Sequence, residues 1–305
     1  MAAVSLVGCG GAAQAIGGSQ AIPNVARAHA STSSGKDLLY VIDSFKNAVD
    51  IYTYPGETYI VTLTGFRVPA GLCVDGAGDV FVTDAKAYDI VEYAHGGTTP
   101  IATLADPDSS PGGCAVDPKT GDLAVANEEN WDYHYNWGNL AIYKHARGKP
   151  KLLTDYPNID FYQSCAYDDA GNLYIVGTTP YVDNLAEIRA GKSHFINLAL
   201  NAFFFSWGGV QWDGQYLALQ RYDRDHNVIY RLAISGKNAT IVDKVDTRGA
   251  KFINGFFIDG DTVIVPNGER RDNRIGTWSY PHGGQPRTQV KVDGTWLGSP
   301  VVSQG

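Results

Sequence analysis

The sequence predicts an all-β chain, and three observations carry the prediction. The composition is rich in turn formers, one strand–turn–strand phrase recurs along the chain, and short apolar runs fill the intervals between its copies. The 305 residues include 35 glycines and 18 tyrosines, with 44% apolar and 18% charged residues. That mix suits many short strands joined by tight turns.

The phrase appears as GLCVDGAGDVFVTD from Gly71, GCAVDPKTGDLAVAN from Gly113 and SCAYDDAGNLYIVG from Ser164. It returns as GVQWDGQYLALQ from Gly209 and GFFIDGDTVIVPN from Gly255. Each copy has a small residue, three mostly apolar residues, an aspartate, a glycine-containing turn and an apolar strand. The aspartates stand at 75, 117, 168, 213 and 259, with separations of 42, 51, 45 and 46. An aspartate opening a turn accepts backbone N–H groups two residues on. Gly78, Gly121 and Gly171 supply the positive φ a tight hairpin needs.

Each phrase supplies two strands, a and b, and the following stretch supplies c and d. DIVEYAH and PIATL follow the first copy, then NLAIYKH and PKLLTD, LAEIRA and HFINLAL, VIYRLAI and ATIVDKV, and RIGTWSY and TQVKVDG. A period in the forties with four strands per unit is the signature of propeller blades. The first unit, DLLYVID, AVDIYTY and TYIVTLTG, lacks strand a; Ser299–Ser303 at the C-terminus can provide it. The expected architecture is a six-bladed β-propeller over residues 37–305, closed by strands from both termini so that no edge stays open.

Residues 1–36 form a separate segment. Leu6-Val7-Gly8-Cys9 resembles a bacterial lipobox, and the Gly-, Ala- and Ser-rich stretch after it reads as a flexible tether. The expectation is a truncated lipoprotein signal with lipidation at Cys9, hence an extracytoplasmic location and a membrane connection only through that anchor. A net charge of −8 without a basic face argues against nucleic acid.

The repeat built on Pro69–Asp75 and Gly78–Asp84 resembles NHL repeats and the wider TolB-like propeller class. That class includes the regucalcin/gluconolactonase group, streptogramin lyase and many bacterial surface lipoproteins. The resemblance implies fold more than function.

In such a ring the b→c and d→a connections share one face, and the a→b and c→d turns share the other. The first set is longer and varied, which is where function on a rigid scaffold usually resides. The longest, EENWDYHYNWG, carries Trp131, Tyr133, His134, Tyr135 and Trp137. Phe204 and Trp207, in the run Phe203–Phe205 and Trp207, map to the same face with Tyr222 and Trp296. Aromatic rings among Asp, Asn and Glu suit a glycan or a protein ligand; packing into a small satellite core is the other reading. Arg270, Arg271 and Arg274 read as solvated charges.

Enzymatic readings fare less well. The gluconolactonase resemblance implies a divalent cation held by Glu, Asn and Asp at the channel mouth. Of the positions that precede strand a (Ala70, Gly112, Gln163, Gly208, Asn254, Gly298), only Asn254 fits, and no acid accompanies it. A lyase needs a general base, and only His134 and His226 map to the loop-rich face. The expectation is a monomeric, non-catalytic binding or scaffolding module without cofactor or metal. A metal-dependent hydrolase or lyase is the alternative. Cys73, Cys114 and Cys165 share one column of successive a strands and are expected as buried thiols that do not face each other.

Overall fold

The computed structural model describes residues 35–305 apart from 108, 131–136, 155–157, 180–182, 201–208, 223–226, 252–253, 270–271 and 295. Its strands follow the predicted phrases. β1 (Leu38–Asp43), β2 (Ala48–Thr53) and β3 (Tyr59–Leu63) form the first meander. β4 (Pro69–Val74), β5 (Val80–Asp84), β6 (Asp89–Tyr93) and β7 (Pro100–Ala105) form the next. β8 (Ser109–Val116), β9 (Leu123–Asn130), β10 (Asn139–Tyr143) and β11 (Lys151–Leu153) follow. Then come β12 (Phe161–Tyr167), β13 (Leu173–Thr178), β14 (Asp183–Ile188) and β15 (Ile196–Leu200). The chain continues through β16 (Val210–Trp212), β17 (Leu217–Tyr222), β18 (Asn227–Ser235) and β19 (Asn238–Asp246). β20 (Phe257–Asp259), β21 (Thr262–Glu269), β22 (Asp272–Ser279), β23 (Thr288–Lys291) and β24 (Leu297–Ser303) complete it.

The first sheet has the order β24-β1-β2-β3, so the C-terminal strand pairs antiparallel with the first, Leu38 against Ser303 and Tyr40 against Val301. This is the closure expected of the two termini. Meanders β4–β7, β8–β11 and β20–β23 are separate four-stranded sheets. Strands β12–β19 form one eight-stranded sheet. It consists of two antiparallel meanders joined at their outer strands by a parallel contact, Ala199 with Asn238 and Leu200 with Ala239.

Both faces of each meander are apolar, and alternate residues serve opposite neighbours. In β1, Tyr40 and Ile42 pack with Leu72, Val80 and Val82 of the following sheet. Leu39 and Val41 pack with Ile264 and Ile275 of the last. The last sheet thus covers the first. The largest wholly buried side chains are Trp278, Tyr40, Tyr143, Tyr162 and Phe81, each contributing about 1.5–3 kcal/mol by burial. The innermost strands lie side by side in chain order. β16 and β20 are linked by the Gln211 side chain, which donates to the Ile258 carbonyl at 3.0 Å and accepts from its N–H at 2.7 Å.

The repeat aspartates do what their spacing predicts. Asp75, Asp117, Asp168 and Asp213 each accept the N–H two residues on, at 2.9 Å in every case. Gly78, Gly121, Gly171 and Gly214 hold φ between +71° and +92° in these turns. Asp259 differs because its hairpin is shorter, Asp259 pairing with Thr262.

The cysteine expectation needs correction. Cys73 and Cys114 form a disulfide, while Cys165 is a buried free thiol. The same-column argument held that thiols pointing in one rotational sense around the ring do not meet, and it left out how the spacing of the inner strands differs from the roughly 10 Å of stacked sheets. Near the axis they are much closer, and the two Cα atoms are 5.6 Å apart, within disulfide range. Glycines permit this approach: a β-carbon on Gly71 would lie 3.0 Å from the Gly113 Cα and overlap the Gly112 carbonyl.

Candidate functional site

The loop-rich face is built over a belt of buried polar side chains. Asp84, 1% exposed, accepts the N–H groups of Arg67 (2.6 Å), Val68 (2.8 Å), Lys86 (3.2 Å) and Ala87 (3.2 Å). One carboxylate thereby fixes both a d→a and a b→c connection. Buried asparagines opening the c strands do the same elsewhere. Asn139 donates to Ser109 Oγ at 3.1 Å and Asn227 to the Ala250 carbonyl at 2.7 Å, while Asn273 donates to the Gly294 carbonyl.

Asp106 is the exception in this belt. It is 0% exposed, and among the described residues neither carboxyl oxygen has a hydrogen-bond partner of ordinary geometry. The nearby Tyr143 hydroxyl donates to the Ala105 carbonyl at 3.0 Å, and the Asn127 amide donates to Asn139 Oδ1 at 2.8 Å. Burial pushes the Asp106 carboxyl up to about 6, offset only in part by Asn127 and Tyr143. Because the folded-state value is raised, ionisation costs stability. The penalty is absent below the unfolded value near 3.9 and complete above about 6, amounting to about 3 kcal/mol. Asp106→Asn is therefore expected to stabilise the protein by about that amount at pH 8 and by little at pH 4. Urea denaturation at the two pH values measures the difference; equal effects at both would contradict the assignment.

Two of the predicted ligand-binding aromatics can be placed with their side chains. Trp137 is 56% exposed and Trp296 is 50% exposed. Trp296 also holds a φ of +60°, a left-handed conformation that costs a side-chain-bearing residue about 1 kcal/mol or more. The backbone of Tyr222 ends β17, and its side chain is outside the described set. Trp131, Tyr133, His134, Tyr135, Phe204 and Trp207 lie outside the described residues, as do His226 and Cys9.

Phe45 was missed by the sequence reading. It is 76% exposed in the β1–β2 turn, beside Ser44, whose N–H donates to the Trp296 carbonyl at 3.1 Å. The Phe45 turn and the Trp296 loop are thus tied together. Asp43 accepts the Phe45 and Lys46 N–H groups at 3.2 and 3.1 Å, and the Lys46 ammonium pairs with Asp43 at 3.2 Å. The polar groups of this turn bond to one another and hold the ring outward. A lone aromatic in a four-residue turn was the available signal.

Asn254 is exposed and donates to the Leu297 carbonyl at 3.5 Å. Among the described residues, no group of three or more His, Cys, Asp and Glu is placed to hold a metal ion. On the opposite face, His95 bonds Ser303 Oγ at 2.6 Å and His145 the Thr120 carbonyl at 2.8 Å, both structural contacts.

The face of short turns carries a cavity of about 520 Å³ where β12–β15 meets β16–β19. Asp168, Glu187, Arg189, Trp212, Gln215 and Tyr216 are among its lining residues. The Trp212 indole stacks on Tyr174 at 6.3 Å and 10°, and its N–H donates to Asp169 at 3.1 Å. The sequence reading placed function on the other face. The available signal was the residue before the repeat aspartate, which is Val74 and Val116 in two units but Trp212 here.

No protein-family model matches the chain, and no curated protein matches it. Solved structures do. A chain from a crystal structure of a nidogen/laminin complex superposes with a TM-score of 0.66 at 14% identity, covering 88% of this chain and 98% of that one. A protein of unknown function from Bacteroides caccae superposes with a TM-score of 0.65 at 11% identity, covering 89% and 100%. At such identities the likeness concerns the fold alone, and the fold it supports is a β-propeller.

Proposed function

We propose that the chain is a non-catalytic, monomeric six-bladed propeller of the NHL/TolB-like type that binds a protein ligand on its loop-rich face. The blade count is supported by the division of the eight-stranded sheet into two meanders, each equivalent to the other four-stranded sheets. The observation carrying the function is the exposed pair Phe45 and Trp296, 76% and 50% exposed on loops tied by a backbone hydrogen bond. Around that pair, Asp43, Asp50 and Lys46 bond to one another, so an incoming group meets chiefly aromatic surface. That suits an apolar side chain of a protein better than a hydroxyl-rich sugar.

The chain works outside the cytoplasm, tethered by residues 1–36 through a lipid on Cys9. The Cys73–Cys114 disulfide supports an oxidising compartment.

Phe45→Ser/Trp296→Ser is expected to weaken capture of envelope proteins at least tenfold, ~1.4 kcal/mol or more, without lowering the melting temperature. Affinity capture with both proteins, beside a glycan array, tests this. Equal capture by wild type and variant would refute the protein-binding reading, and a glycan signal lost in the variant would change the ligand class. Turnover of a lactone by protein carrying a stoichiometric divalent ion would favour the hydrolase alternative.

A further inference from the structure

We propose that the cavity between β12–β15 and β16–β19 is a second binding site, on the face opposite the Phe45–Trp296 pair, and that it takes a neutral sugar ring. Its size, about 520 Å³, falls within the usual range for small-ligand sites. The chemistry of its lining selects the class of ligand.

Asp168 is closed to a ligand. Its carboxylate already accepts the Ala170 N–H (2.9 Å), the Asn172 N–H (2.8 Å), the Asn172 side-chain amide (2.8 Å) and the Tyr174 hydroxyl (3.2 Å). Glu187 is different. It is 5% exposed, and among the described residues its one bonded partner is Arg189 Nε at 3.4 Å, so acceptor capacity is left over. Arg189, 52% exposed, makes a second long contact of 3.4 Å to the Gly236 carbonyl. Its guanidinium has further N–H groups for a ligand.

The two open groups offset each other in charge, and the closed Asp168 carboxylate leaves the lining one charge negative, so an anion is disfavoured while a neutral ring can meet both open groups. A carboxylate that accepts and a guanidinium that donates are together the complement of vicinal hydroxyls, each of which both donates and accepts. The Gln215 side chain on the rim adds a neutral amide. Trp212 supplies the flat apolar surface that the C–H face of a pyranose requires. Stacking on Tyr174 and the bond to Asp169 hold the indole in one orientation. Little side-chain entropy is then lost when a ring docks against it.

Isothermal titration with chitohexaose, cellohexaose, maltohexaose and xylohexaose tests the site, with polygalacturonate and a chitosan hexamer as charged counterparts. At least one neutral oligomer is expected to bind with a dissociation constant of about 1 mM or tighter. The affinity should be unchanged between low and high salt, as a neutral ligand requires. Glu187→Gln is expected to weaken binding about tenfold or more, and Trp212→Ala to abolish it. Glu187→Gln preserves side-chain shape, so a matching melting temperature separates lost binding from lost folding. Phe45→Ser/Trp296→Ser should leave this binding intact, so the failure of one site is distinguishable from that of the other. Absence of binding by all four neutral oligomers, binding that survives both cavity substitutions, or binding of a charged polymer alone would overturn the proposal.

Discussion

Replacing Arg231 with methionine is expected to lower the free energy of unfolding by about 3–5 kcal/mol at pH 7. Asp213 closes the β16–β17 turn, and its side chain has no exposure; Arg231 on β18 is 13% exposed and donates Nε to it at 2.7 Å. The carboxylate also accepts the Gln215 N–H at 2.9 Å, the Tyr216 N–H at 2.6 Å and the Tyr280 hydroxyl of the next sheet. The guanidinium sits 4.7 Å from the centre of the Tyr216 ring and 5.4 Å from that of Tyr280. Removing it leaves a buried carboxylate with its hydrogen bonds but without its counter-charge. Deleting one member of a buried pair is costly for this reason.

The effect should depend on pH in a defined direction. Burial alone would push the Asp213 carboxyl up, but the bonds from Tyr280, Tyr216, Arg231 and Gln215 outweigh it and hold the group below its ordinary value. A depressed carboxyl contributes stability above its unfolded value, near 3.9, and loses that contribution as pH falls through the lower folded value. The gap between wild type and Arg231→Met should therefore be widest at neutral pH and narrow in acid. Urea denaturation at pH 7 and pH 3 measures it. A gap below about 1 kcal/mol at pH 7 would place the pair with exposed ion pairs and defeat the prediction. Asp213→Asn/Arg231→Met should recover part of the loss, because no buried charge remains.

What the sequence disclosed follows from the range of each interaction. The turn at Asp75 was legible because its carboxylate bonds a backbone N–H two residues away. Pairing of β24 with β1 was legible because one unit lacked a strand and the C-terminus held a spare one. Interactions between neighbouring sheets were not legible in the same way. The cavity lies where residues near 168–189 meet residues near 212–236, so no single repeat contains it. The importance of Phe45 depends on the Trp296 loop, which lies far along the chain. Asp106 stands directly after β7 and looks like any loop carboxylate until its surroundings are known. The disulfide was misread for a related reason: the column of cysteines was visible, but the distance between adjacent inner strands was not.

That distance underlies the second large effect. Cys73→Ala/Cys114→Ala is expected to cost about 4 kcal/mol of stability, the chain-entropy value for a loop of this length. The cysteines are 41 residues apart in sequence, so the bond removes many conformations from the unfolded chain. It joins β4 to β8, whereas the termini join at β1 and β24 without a covalent link. Both sulfur-bearing residues are buried, at 7% and 8% exposure, so reductant should cleave the bond only as the protein opens. Cys165 should not exchange into it. Burial pushes its thiol up to about 12, which leaves almost none of the thiolate that exchange requires. Its Sγ instead lies 3.7 Å from the Ala124 carbonyl and 3.9 Å from that of Gly113. A non-reducing peptide map should therefore contain the 73–114 link alone, with Cys165 labelled by a thiol reagent only in denaturant. Recovery of a 114–165 link, or a double variant as stable as the wild type, would show that the inner strands do not approach as described.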